Sequence, residues 1–148
     1  MIKNSSVLVI VFFFFLISLR VAYDFLNDIE YHYDEAQYWV WSQNPSLSYL
    51  TKGPFVASII SLSNSMFGQS YLGLKFFSLL AYIGTIISIS YSSIALNKDK
   101  NIGTTALLIT GLSPAVFLLG GVASTDAYLF FFWSLVLFGY IKFTLDKD

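Results

Sequence analysis

The chain has no cysteine, one histidine and few charges. Without cysteine there are no disulfides, no thiolate metal sites and no cysteine nucleophile. Charged residues make up 11% of the sequence, less than half the roughly 25% of an ordinary soluble domain. The 8 basic residues are balanced by 9 acidic ones, for a net charge of −1. No basic field exists to attract a nucleic acid, so nucleic acid is excluded as a partner. What the chain has instead is apolar: 56% hydrophobic residues, with 15 Phe, 10 Tyr and 3 Trp. That is too much apolar surface for a soluble domain of 148 residues to hide behind a polar skin. It also rules out a disordered chain. The composition is that of an all-α integral membrane protein.

Four segments are apolar enough to span, at residues 5–23, 76–96, 102–125 and 127–145. A helix needs about 20 apolar residues to cross. Lys142 can snorkel at the end of the last. The first segment resembles a signal peptide in its Lys3 and apolar run, but Arg20 stands where a small residue is wanted. Arg20 reads instead as a snorkelling anchor. A fifth apolar stretch, 55–67, is short. As a helix it gathers Ser58, Ser61, Asn64 and Ser65 on one face and Phe55, Ile59, Leu62 and Met66 on the other. That pattern predicts a helix lying in the interface.

Four spans with the N-terminus in the cytoplasm put Lys3, Lys98, Lys100, Lys142 and Lys147 inside. Arg20, Lys52 and Lys75 are then outside. Five spans with the N-terminus outside satisfy the positive-inside rule too, but require the Ser-rich 55–67 segment to cross. The four-span reading is preferred. It places the 24–75 loop and the turn before Asp126 on the same outer side.

The polarity is concentrated in that loop. Asp24, Asp28 and Glu30 read as a solvated segment. The stretch 33–42, YDEAQYWVWS, has helical character with Asp34 and Glu35 at its start, where carboxylates complement the helix dipole. Tyr38 and Trp41 share a face with Asp34 at i+4 and i+7. Two readings stay open. The stretch is an acidic helix start within an interfacial aromatic belt, or Asp34 is a general base acting on an acceptor hydroxyl or amine. His32, flanked by Tyr31 and Tyr33, reads as an interfacial side chain, since no second His or Cys completes a metal site. Lys52 reads by itself as an interfacial anchor. Asp126, after Ser124 and Thr125, complements a helix N-terminus.

Three motifs in order carry a resemblance: YDEAQYWVWS, then SYLTKGP, then Thr125-Asp126-Ala127 before a Phe-rich run. Together they resemble the GT-C membrane glycosyltransferases, the polyprenyl-phosphate-sugar-dependent family that includes protein O-mannosyltransferases and aminoarabinose lipid A transferases. The family pattern reads D-E-a-x-Y-w, then Y-x-x-K-P-P, then a small residue with Asp and a Phe-rich helix. The resemblance implies a GT-C-like fold, with four transmembrane helices here and interfacial juxtamembrane helices in the first outer loop. It implies Asp34 as catalytic carboxylate, Glu35 as its acidic support and Asp126 as a second acid near the active site. Lys52 is implied to hold the donor's lipid phosphate, with Tyr49 beside it. Gly53 replaces the first Pro of the family motif, which leaves the turn less rigid.

The implied activity moves a sugar from a polyprenyl-phosphate donor to a lipid, glycan or protein acceptor at the outer face of a membrane, by resemblance the bacterial plasma membrane. The implied partners are the lipid-linked donor, membrane lipid and the acceptor. No cofactor is certain; a divalent metal stays open, although no ligand pattern indicates one. The resemblance covers only the N-terminal third of such an enzyme, so the chain alone is expected to be incomplete. The competing reading is a non-catalytic membrane subunit that binds lipid or a partner through its aromatic loop. A small transporter is disfavoured, because the expected spans carry no mid-span ionisable residue.

Overall fold

A computed structural model describes residues 3–26 and 32–146. Asp28 and Glu30 of the expected solvated segment, Tyr31 and Lys147 lie outside the described residues, as do the side chains of Lys3 and Asp24. The chain falls into two compact units, Met1–Glu30 and Tyr31–Asp148. The first holds helix α1, Lys3–Leu26, of 24 residues.

Among its described residues the regular elements of the second unit are all helices. Its elements are α2 (Tyr33–Ser42), α3 (Phe55–Phe67), α4 (Tyr71–Asn97), α5 (Lys100–Leu112), α6 (Pro114–Gly120) and α7 (Thr125–Leu145). Among the described residues, α4 and α7 are long and apolar enough to cross a membrane, and α5 with α6 makes a third span if the bent pair is counted as one. The 27 residues of α4 reach about 40 Å, beyond a hydrocarbon core of about 30 Å.

Local chemistry sets the helix ends. Ser70 caps α4, its hydroxyl accepting from the Gly73 N–H at 3.1 Å. Lys98 ends it in the left-handed region, φ 54°, donating its N–H to the Ile94 carbonyl. Asp99 caps α5 through the Asn101 N–H at 2.8 Å. Within α4 the hydroxyls of Ser78, Thr85 and Ser92 donate back to the carbonyls of Lys75, Ala81 and Ser88. This satisfies polar side chains on an apolar helix without a partner from outside it.

The apolar run at 102–125 is not the continuous helix expected from its composition. It breaks at Ser113–Pro114, and α5 and α6 meet at a bend of 60°. Proline lacks an N–H and its ring clashes with the preceding turn. It also holds the residue before it in an extended conformation, here Ser113 at ψ 124°. The Gly111 carbonyl beside the break accepts the hydroxyl of buried Tyr82 at 2.9 Å, which satisfies it away from water.

α4 packs against α3, α5, α6 and α7. At Gly84 the Phe131 ring of α7 sits so close that a Cβ would meet it at 2.4 Å. Small residues let helices approach in this way. α3 packs on α2 and α4, but through neither of the faces expected for it. Val56, Ala57, Ile60 and Ser63 are buried, whereas Phe55, Leu62 and Met66 are exposed. The buried cluster of Tyr38, Val56, Ala57, Ile60, Leu74, Ala81, Ala123 and Tyr128 joins α2, α3, α4 and the start of α7. It forms the floor on which the 32–54 segment rests.

A paired carboxylate site on helix α2

α2 begins with a reciprocal cap. His32 Nδ1 accepts the Asp34 N–H at 3.4 Å, and Glu35 Oε2 accepts the His32 N–H at 3.2 Å. His32 thus has a local structural task that the sequence did not reveal.

Successive residues on a helix are turned by about 100°, so the two adjacent acids face different surroundings. Asp34 turns to the loop. Its Oδ1 accepts from Lys52 Nζ, and both side chains are about 30% exposed. Lys52 Nζ also lies 4.9 Å from the centroid of the Tyr38 ring, a cation–π contact. The hydrogen bond to Asp34 holds the Lys52 ammonium above its ordinary pKa, against the smaller opposing effect of burial.

Glu35 turns inward and is 1% exposed. Its Oε1 accepts the backbone N–H of Ala123 at 2.7 Å and pairs with Lys75 Nζ at 3.1 Å. Lys75, near the start of α4, is also buried and lies 5.7 Å from the Tyr71 ring. A buried carboxylate is tolerable only when paired and hydrogen-bonded. Glu35 has a cation and two N–H donors.

Tyr38 ties α2 to α7. It is 1% exposed, and its hydroxyl shares a hydrogen bond of 2.7 Å with Thr125 Oγ1. Its ring meets Trp41 edge-on at 5.6 Å. Trp41 stacks on Tyr49 at 4.5 Å with ring planes 9° apart. The Tyr49 hydroxyl donates to the Trp41 carbonyl at 3.1 Å and accepts the Ser46 N–H at 3.0 Å. These bonds fold the 43–49 loop back on α2 and carry the chain to Lys52.

The structure therefore brings Asp34 and Lys52 into contact and sets Tyr49 against Trp41. Asp126 is exposed on the first turn of α7. Its neighbours Ala123 and Thr125 touch α2, but no ion pair joins Asp126 to Lys52 among the described residues. Among those residues no group of three or more His, Asp or Glu is placed to hold a metal. Sequence reasoning missed Lys75 as a site residue. Its signal was a lone charge in the first turns of an apolar helix, where an ionisable group is costly and needs a reason.

Residues 51–148 match the family model described as dolichyl-phosphate-mannose-protein mannosyltransferase. Lys52, Lys75 and Asp126 lie within that match, and Asp34 and Glu35 precede it. The chain is also 28% identical over 124 residues to the lipid A galacturonosyltransferase RgtD of Rhizobium johnstonii. That alignment covers 80% of this chain and 25% of the relative. No solved structure matches.

Proposed function

From the premise that this chain belongs to the dolichyl-phosphate-mannose-protein mannosyltransferase family, we propose that it takes part in moving a sugar from a polyprenyl-phosphate donor to an acceptor at the outer face of a membrane. In this reading α1, α4, the bent α5–α6 pair and α7 are four spans, with the N-terminus in the cytoplasm. α3 lies along the interface. The contacts from Glu35 to Ala123 and from Tyr38 to Thr125 support that arrangement. They join the α2 loop to the turn before α7, which agrees with four spans, where both lie on one side, and not with five.

The observation that carries the reading is the partly exposed Asp34–Lys52 pair above Tyr38. Transfer needs a base for the acceptor's proton and a cation for the charge that develops on the departing phosphate. Asp34 supplies the first and Lys52 the second. Glu35, locked by Lys75 and Ala123, supports Asp34 by fixing the start of α2. Tyr49 shapes the loop that delivers Lys52, and Asp126 is a second acid on the same side of the membrane.

The acceptor class is a lipid, a glycan or a protein. The name of the relative from Rhizobium johnstonii makes a lipid acceptor the first to test. The membrane is proposed to be a bacterial plasma membrane. The test is to reconstitute the protein with labelled polyprenyl-phosphate sugars and a lipid acceptor, and to follow release of polyprenyl phosphate. Acceptor-dependent release supports the reading. Sugar transfer from a nucleotide donor with no lipid phosphate would contradict it.

A further inference from the structure

Two neighbouring carboxylates are held here in opposite ways. Glu35 is buried under three donors and has nowhere to go. Among the described residues Asp34 has a single cation partner, Lys52, at a partly exposed position. A carboxylate oxygen that accepts from an ammonium is occupied, and cannot at the same time meet an acceptor's proton. The resting pair therefore blocks Oδ1 of the group assigned to take the acceptor's proton.

Lys52 has a second support. Its ammonium sits over the Tyr38 ring, and that ring is fixed by burial and by the bond to Thr125. Lys52 can stay in place while Asp34 rotates away. Partly exposed ion pairs contribute little to stability, so such an exchange is cheap. A donor phosphate brings free anionic oxygens to the same ammonium.

We propose that Asp34 and the donor's lipid phosphate compete for Lys52, so that arrival of the donor frees the Asp34 carboxylate. This rests on the reading of Lys52 as the phosphate-binding residue. It makes binding ordered: the donor comes first, and the acceptor meets an active base only afterwards. Tyr38 is then a positioning residue, which keeps Lys52 seated as its partner changes.

The experiment titrates the full chain, in mixed detergent micelles, with a polyprenyl monophosphate. Tryptophan fluorescence from the Trp39 and Trp41 region reports binding, and the unphosphorylated polyprenol serves as control. Asp34→Asn keeps the shape and removes the competitor, so it should tighten phosphate binding about three- to tenfold. In a Lys52→Met background, where phosphate binding is weaker, the same Asp34→Asn change should have no effect. Asp34→Ser serves as a second charge-removing variant, and near-ultraviolet circular dichroism checks that each variant is folded.

Equal tightening in both backgrounds would mean general repulsion by Asp34 and would overturn the competition. So would an absence of tightening when Lys52 is present. If Lys52→Met alone leaves phosphate binding at the wild-type level, the phosphate-site reading itself fails, a result distinct from failure of the competition.

Discussion

Glu35 on α2 accepts the backbone N–H of Ala123, 88 positions later in the chain, at 2.7 Å. That bond and the ion pair to Lys75 fasten the start of α2 both to the first turns of α4 and to the turn that opens α7. The position of Asp34 depends on them, because it is the preceding residue on the same helix.

The first prediction concerns that fastening. Lys75→Met leaves the Glu35 charge buried without its cation, and breaking a buried pair from one side typically costs about 3–5 kcal/mol. The double variant Glu35→Gln/Lys75→Met should recover part of the loss, since it buries no charge. Thermal unfolding in detergent measures both. A Lys75→Met protein as stable as the wild type would show that the pair does not hold α2.

Tyr38→Phe removes the hydroxyl that meets Thr125 but keeps the ring under Lys52. It should cost about 1 kcal/mol. Thr125→Val should cost a similar amount, and the two together should cost less than their sum, because both delete one interaction. Additive losses in a double-mutant cycle would show that the bond is not formed.

Topology can be tested on a chain that has no native cysteine. Ser46 and Gln69 flank α3, and Asn97 ends α4; all three are exposed. Single cysteines at Ser46 and Gln69 should react with a membrane-impermeant reagent from the same side, and one at Asn97 only from the other. Labelling of Ser46 and Gln69 from opposite sides would mean that α3 crosses.

The raised pKa of Lys52 has a direct chemical consequence. Its cause is the bond to Asp34, which favours the protonated amine. At a pH of about 9 a smaller fraction of Lys52 is neutral than for a lysine at the ordinary value of about 10.4. Lys52 should therefore be acylated more slowly than exposed Lys98 and Lys100, as measured by mass spectrometry of the modified protein. Asp34→Asn should raise its rate. Fast acylation of Lys52 in the wild type would contradict the pairing.

Much of this arrangement was legible in the sequence. The acids at the start of α2 and the i, i+4, i+7 face of Asp34, Tyr38 and Trp41 follow from helical periodicity alone. The apolar runs that became α4 and α7 follow from composition. The bend at Pro114 was hidden by the uncharged run around it, although the proline itself carried the signal. The buried face of α3 was not legible, because Ala57 and Ser63 are buried for their small size and not for hydrophobicity. Nor was the division of labour between Asp34 and Glu35. Adjacent acids look alike in a sequence, and their difference comes from Lys75 and Ala123, which only folding brings near.

The central claim is that Asp34 is the base of a donor-dependent transfer, and one kinetic comparison tests it most directly. Initial rates are measured for wild type and Asp34→Asn over a range of polyprenyl-phosphate-sugar concentrations, at saturating acceptor. Losing a positioned general base typically lowers turnover by about 10²–10⁴-fold. The account predicts a fall in kcat of that order, with donor binding unchanged or tighter. Turnover close to wild type in Asp34→Asn would contradict it.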